Sequence, residues 1–95
     1  MKLVVSQVAV ADLERLREFL SDRNPAAARQ ATAALVAAAQ SLYTFPERGR
    51  PSGADSIREL IVPFGRSNYV LRYAYSAAID EAVILRIWHG REARE

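Results

Sequence analysis

Hydrophobic periodicity in this 95-residue chain is helical between Val8 and Tyr43 and strand-like after Ile57, and that switch leaves few ways to fold it. Between Val8 and Leu20 the large apolar residues Leu13, Leu16, Phe19 and Leu20 follow a helical stripe. Asp12, Glu14, Arg15, Arg17 and Glu18 occupy the rest of that surface. Ser21-Asp22-Arg23 reads as a polar turn, and Asn24-Pro25 restarts a helix. Asparagine caps it, and proline stands at the first helical position, where its missing N–H costs nothing. This second helix runs to about Tyr43 and is rich in alanine, with Leu35, Val36 and Leu42 as its large aliphatic residues. Small side chains permit close approach, so the two helices are expected to form a hairpin.

Strand signals flank that hairpin. Lys2-Leu3-Val4-Val5 is a short strand-like run. Phe45-Pro46-Glu47-Arg48-Gly49-Arg50-Pro51-Ser52-Gly53 reads as a loop, because glycine and proline punctuate it throughout. Strands are then expected at Ile57 to Val62, Tyr69 to Tyr75 and Ala82 to Trp88, with turns at Pro63 to Asn68 and Ser76 to Asp80. Alternation places Tyr69, Leu71, Tyr73 and Tyr75 on one face of the middle strand, with Val70, Arg72 and Ala74 on the other. Connections this short make the three strands an antiparallel meander. The expected fold is therefore α+β: strand, helix, helix, strand, strand, strand, with the helices on one sheet face and residues 1–95 forming a single domain.

Composition narrows the function classes. There is no cysteine, which excludes disulfides and thiolate metal sites. No long apolar run or signal-peptide pattern is present, so a cytoplasmic protein with no membrane association is expected. The formal charge is +2, and acids are interspersed with bases, which argues against a nucleic-acid-binding protein defined by charge alone. All but one of the 13 basic residues are arginine, the cation suited to bidentate pairing with carboxylate or phosphate.

Three groups of residues could carry chemistry. His89, the single histidine, could act as acid or base. It has no second histidine or cysteine at ligand spacing, so no metal and no cofactor is expected, and a structural hydrogen-bonding role is the plainer reading. Arg58, Arg72 and Arg86 come one from each of the last three strands and could share a face as a phosphate or carboxylate clamp. Alternatively each pairs with a nearby acid such as Glu59. Tyr69, Tyr73, Tyr75 and Trp88 could stack bases, but strand aromatics more often pack under helices, and a helical hairpin needs such a surface. Arg48-Gly49-Arg50 is a weak anion-binding signal within an ordinary surface loop.

Taken in order, several short runs resemble the RelE/ParE superfamily of type II toxins. They are Asp12-Leu13 in the first helix, Asn24-Pro25, Phe45-Pro46 with Gly49-Arg50-Pro51, Arg58-Glu59-Leu60, Tyr69-Val70-Leu71-Arg72-Tyr73 and Ile87-Trp88-His89-Gly90-Arg91. The resemblance spans nearly the whole chain and rests on the order of these runs, since none is specific alone. It implies a small toxin neutralised by a cognate antitoxin, whose acidic C-terminal segment folds onto the helical hairpin. On that basis the expected antitoxin-binding residues are Leu13, Leu16, Leu20, Leu35, Arg58 and Arg72. Sequence-specific DNA binding by the toxin without its antitoxin is not expected.

RelE-like members of the superfamily cleave mRNA on the ribosome with basic residues on the sheet, whereas ParE-like members poison DNA gyrase by binding it. Here Glu59 and Ile61 stand about where lysines belong in the RelE pattern, Val70 stands where an arginine follows the strand tyrosine, and no tyrosine lies near the C-terminus. RNA cleavage without base, acid or charge stabiliser loses most of its rate enhancement. The ParE-like branch is therefore the expected one, a binding protein with gyrase as target and Trp88, His89 and Arg91 as the target-binding residues. The alternative is a ribosome-dependent mRNA endoribonuclease using Arg58, Arg72, Arg86 and His89.

Overall fold

The computed structural model describes residues 1–92. Strand β1 (Lys2–Val5) leads into helix α1 (Gln7–Ser21), followed by α2 (Pro25–Gln40), which ends in one 3-10 turn at Ser41–Tyr43. Strands β2 (Arg50–Pro51), β3 (Ile57–Phe64), β4 (Ser67–Ser76) and β5 (Glu81–His89) complete one sheet in the order β1-β5-β4-β3-β2. The expected α+β order and the antiparallel β3–β4–β5 meander are present, and β1 lies parallel to β5 at one edge. The stretch read as pure loop differs, because Arg50 and Pro51 pair with Glu59 and Arg58 as a short edge strand. A proline is tolerated there because the outer side of an edge strand has no neighbour to bond.

Local chemistry sets the helix boundaries. Ser6 caps α1, its hydroxyl accepting from the Ala9 N–H at 3.1 Å, and Asn24 caps α2 by accepting from the Ala27 N–H at 3.1 Å. The alanine face of α2 approaches closely, burying Ala28, Ala31 and Leu35. Leu16, Leu35 and Leu42 from the helical segments pack on Leu60, Val62, Tyr69, Leu71, Tyr73, Ile84 and Ile87 of the sheet. Tyr69, Leu71 and Tyr73 therefore share the helix-side face, with Tyr75 packed against the same core.

One irregularity shapes the end of the sheet. The β4–β5 register pairs Arg72 with Arg86 but Tyr73 with Ile84, so Leu85 is an extra residue and forms a bulge. Strict alternation would put Ile84 and Ile87, three apart, on opposite faces. The bulge brings both into the core, where they are 1% and 4% exposed.

Candidate functional site

The three strand arginines do not form a cluster. Arg58 pairs in register with Tyr73 and so has helix-side parity, whereas Arg72 and Arg86 have the parity of the opposite face. Each is engaged locally. Arg58 donates to the carbonyls of Gly49 (2.7 Å) and Glu47 (3.1 Å), with the Glu47 carboxylate at 3.5 Å. Arg72 donates through Nε (3.1 Å) and Nη2 (2.8 Å) to Glu59 and lies over the Trp88 ring at 4.9 Å from its centroid. Arg86 donates through Nε (2.8 Å) and Nη2 (3.2 Å) to Asp12 of α1.

The two acids that hold Arg86 and Arg72, Asp12 and Glu59, are only 5% and 6% exposed. Such burial is tolerable for a carboxylate only when it is compensated. Asp12 has a further partner. Beyond the end of β1, the edge of β5 has no strand beside it, and the Ile87 N–H donates to the Asp12 carboxylate at 2.9 Å. Burial pushes the Asp12 carboxyl up, but the hydrogen bonds from Arg86 and the Ile87 N–H, with the charges of Arg86 and Arg15, bring it below its ordinary value. Arg86 is correspondingly held above its own by Asp12. The sequence reading put Asp12 on the polar side of α1, and the structure corrects this. Asp12 falls at positions i+3 and i−4 from buried Ala9 and Leu16, so a carboxylate inside the apolar stripe was the available signal.

His89 ends β5 with both ring nitrogens occupied. Its Nδ1 accepts from the Arg91 N–H at 3.1 Å, which leaves the proton of the neutral ring on Nε2, 2.8 Å from the Ser67 hydroxyl. The ring stands edge-on to Tyr69 at 5.4 Å between centroids. Glu92 closes the turn by accepting from the His89 N–H at 2.7 Å and ties it to α1 through Arg15 at 2.7 Å. Gly90 is required by close approach: its N–H donates to the Asn68 carbonyl at 2.9 Å, and a Cβ there would run into the Asn68 side chain. Glu92, Ser67 and Asn68 were not singled out by sequence, because only the fold brings them to His89.

This turn, the C-terminal half of α1 and the β3–β4 turn enclose an open groove of about 680 Å³, with Leu16, Leu20, Phe64 and Tyr69 among its lining residues. Arg66 and Arg91 also line it. Among the expected antitoxin-binding residues, Leu16 and Leu35 are buried in the core, and Leu13 and Leu20 are half-buried against it. The apolar side chains that the helices offer to solvent are Val8, Val10, Phe19 and Val36. Trp88 is only 4% exposed, on the face away from the helices beside Val70. Burial pushes the Tyr69 and Tyr73 phenols upward, and the Tyr73 hydroxyl accepts from the buried Gly49 N–H at 2.9 Å. Among the described residues, no group of three His, Cys, Asp or Glu side chains could hold a metal ion, and no helix is long and apolar enough to cross a membrane.

A helical hairpin on one face of a mostly antiparallel sheet, with Arg72 and Arg86 paired to buried acids, defines a small α+β domain. The comparisons with known proteins say which. Residues 3–94 match the family described as the ParE toxin of type II toxin–antitoxin system, parDE. The chain is 41% identical to Toxin RelE1 of Caulobacter vibrioides over 92 residues, covering 97% of this chain and 96% of that one. It is 39% identical to Toxin RelE3 of the same organism over 83 residues, covering 87% of each. Its fold superposes with a TM-score of 0.73 on a chain of the chromosomal ParDE TA system from P. aeruginosa, at 24% identity, covering 94% of this chain and 95% of that one. This chain belongs to the ParE toxin family, within the RelE/ParE superfamily of type II toxins. Membership carries a cognate antitoxin as partner.

Proposed function

We propose that this toxin acts by binding a protein, with DNA gyrase as the target, rather than by cleaving RNA. One observation carries the reading: the groups a nuclease on this sheet would deploy are already engaged within the protein. Arg58, Arg72 and Arg86 each have a carboxylate at 3.5 Å or closer, and both His89 ring nitrogens have partners. In-line attack of a ribose hydroxyl needs a free base, an acid for the leaving oxygen and uncommitted donors for the phosphoryl oxygens. A protein ligand needs only shape, apolar anchors and a rim of charge.

In this reading the antitoxin covers the apolar outer surface of the hairpin at Val8, Val10, Phe19 and Val36, reaching half-buried Leu13 and Leu20. Its acidic residues are placed at Arg58, which has helix-side parity, rather than at Arg72, which lies on the opposite face and is held by Glu59. The target grips the end of β5 around His89 and Arg91, with Trp88 stiffening the strand beneath. Purified toxin is expected to inhibit gyrase supercoiling and to accumulate cleaved DNA–gyrase complexes, and antitoxin is expected to reverse both. Inhibition without cleavage complexes, or none at all, refutes the gyrase assignment.

A second reading, ribosome-dependent mRNA cleavage, has in its favour the RelE names of the Caulobacter relatives. Primer extension on mRNA from cells expressing the toxin separates the two. Codon-positioned cuts that vanish with His89→Ala or Arg72→Ala would select the nuclease.

A further inference from the structure

One row of charge crosses the outward face of the sheet. In register, Arg50 of β2 lies beside Glu59 of β3, Glu59 beside Arg72 of β4, and Arg72 beside Arg86 of β5. Strands lie about 4.8 Å apart, so these positions form a continuous band across four strands. Without its one acid, the band would present two guanidinium groups, Arg50 and Arg72, free to meet a phosphate backbone. With it, the chemistry reverses. The Glu59 carboxylate takes the Nε and Nη2 donors of Arg72 and lies 3.5 Å from Nη2 of Arg50. At one end of the band, Asp12 takes Arg86 with both of its carboxylate oxygens, whereas Glu59 receives both Arg72 donors on Oε2.

We infer that Glu59 is a specificity-determining residue: its buried carboxylate closes this face to nucleic acid by occupying the arginines a phosphate backbone would otherwise use. The inference deepens the reading of the toxin as a protein binder. Three features support it. Glu59 is only 6% exposed and already takes the Nε and Nη2 donors of Arg72, so a phosphate approaching Arg72 meets a guanidinium with that edge filled. Among the described residues, Arg50 and Arg72 pair with it from the strands on either side, so the carboxylate governs the band on both flanks. Arg72 also lies over the Trp88 ring, which adds a second restraint on the guanidinium plane. A phosphate must therefore outcompete a desolvated carboxylate already in place.

Glu59→Gln keeps the side-chain shape and an acceptor oxygen while removing the charge. Fluorescence anisotropy with a labelled oligouridylate, repeated over a salt series, reads the consequence. Each added phosphate contact to a single strand steepens the dependence of log K on log salt by about 0.7, so releasing Arg50 and Arg72 adds about 1.4 to the slope. The expected result is affinity about tenfold tighter than wild type at low salt, lost again in Glu59→Gln/Arg72→Gln. Unchanged affinity and slope in a folded Glu59→Gln protein overturn the inference. A second measurement needs no variant: the Arg72 Nε–H resonance of wild-type protein should not move when oligouridylate is added, and a shift overturns the inference equally. Gyrase inhibition, measured on the same proteins, separates this from the proposed function. Intact inhibition with no gain in RNA affinity sinks the inference alone, whereas a gain in RNA affinity by a toxin that leaves gyrase untouched sinks only the gyrase target.

Discussion

Asp12→Ala is the sharpest test of how the end of the sheet is held. Asp12 satisfies the Ile87 N–H at 2.9 Å in a buried setting where β1 no longer runs beside β5. Alanine leaves that donor without a partner, at about 1–3 kcal/mol. The Arg86 side chain is 48% exposed and turns to water, so it adds little to the loss. Taking about 2 kcal/mol, and about 4–8 °C per kcal/mol for a domain of this size, the melting temperature falls by roughly 10 °C. Thermal unfolding followed by circular dichroism at neutral pH measures this directly. A fall of less than about 2 °C would mean that the Ile87 N–H finds another partner and that the carboxylate is not what secures β5.

The same site predicts a pH dependence. The folded-state pKa of Asp12 lies below its ordinary value, so its contribution is fully present above about pH 4 and is lost as pH falls through the lower folded value. Asp12→Asn keeps a hydrogen-bond acceptor but cannot titrate. The stability gap between wild type and Asp12→Asn is therefore expected to narrow on acidification below about pH 4. A gap that stays constant there refutes the linkage.

Two further changes test other parts of the structure. Gly90→Ala forces a methyl group against the Asn68 side chain and is expected to cost about 1–3 kcal/mol and to disturb the His89–Ser67 contact, read from the melting temperature and the His89 ring resonances. Tyr73→Phe leaves the buried Gly49 N–H without its acceptor and should lower stability by about 1–3 kcal/mol, seen as a lower urea midpoint with an unchanged slope.

The helical hairpin, the meander and the Asn24 cap were legible in the chain itself, because amphipathic spacing and capping chemistry act within a few residues. So was the division of the middle strand into a helix-side face of Tyr69, Leu71 and Tyr73 and an outer face holding Arg72. What escaped depends on groups far apart in sequence. Asp12 meets Arg86 and Ile87 across a separation of 74 and 75 residues, and Glu92 meets Arg15 across 77. The bulge at Leu85 escaped for a related reason: Val83-Ile84-Leu85 is apolar throughout, so no alternation marks where an extra residue enters.

Sequence alone determined the kind of protein this is, because the order of helical and strand periods, with its short family runs, admits one architecture. Only the tertiary structure decided what the arginines do. Whether Arg58, Arg72 and Arg86 form a clamp or pair with acids is a question of strand register, and register places Glu59 beside Arg72 while the path of α1 brings Asp12 to Arg86. A guanidinium committed to a buried carboxylate has little left for a phosphate, and no local pattern in the chain carries that information.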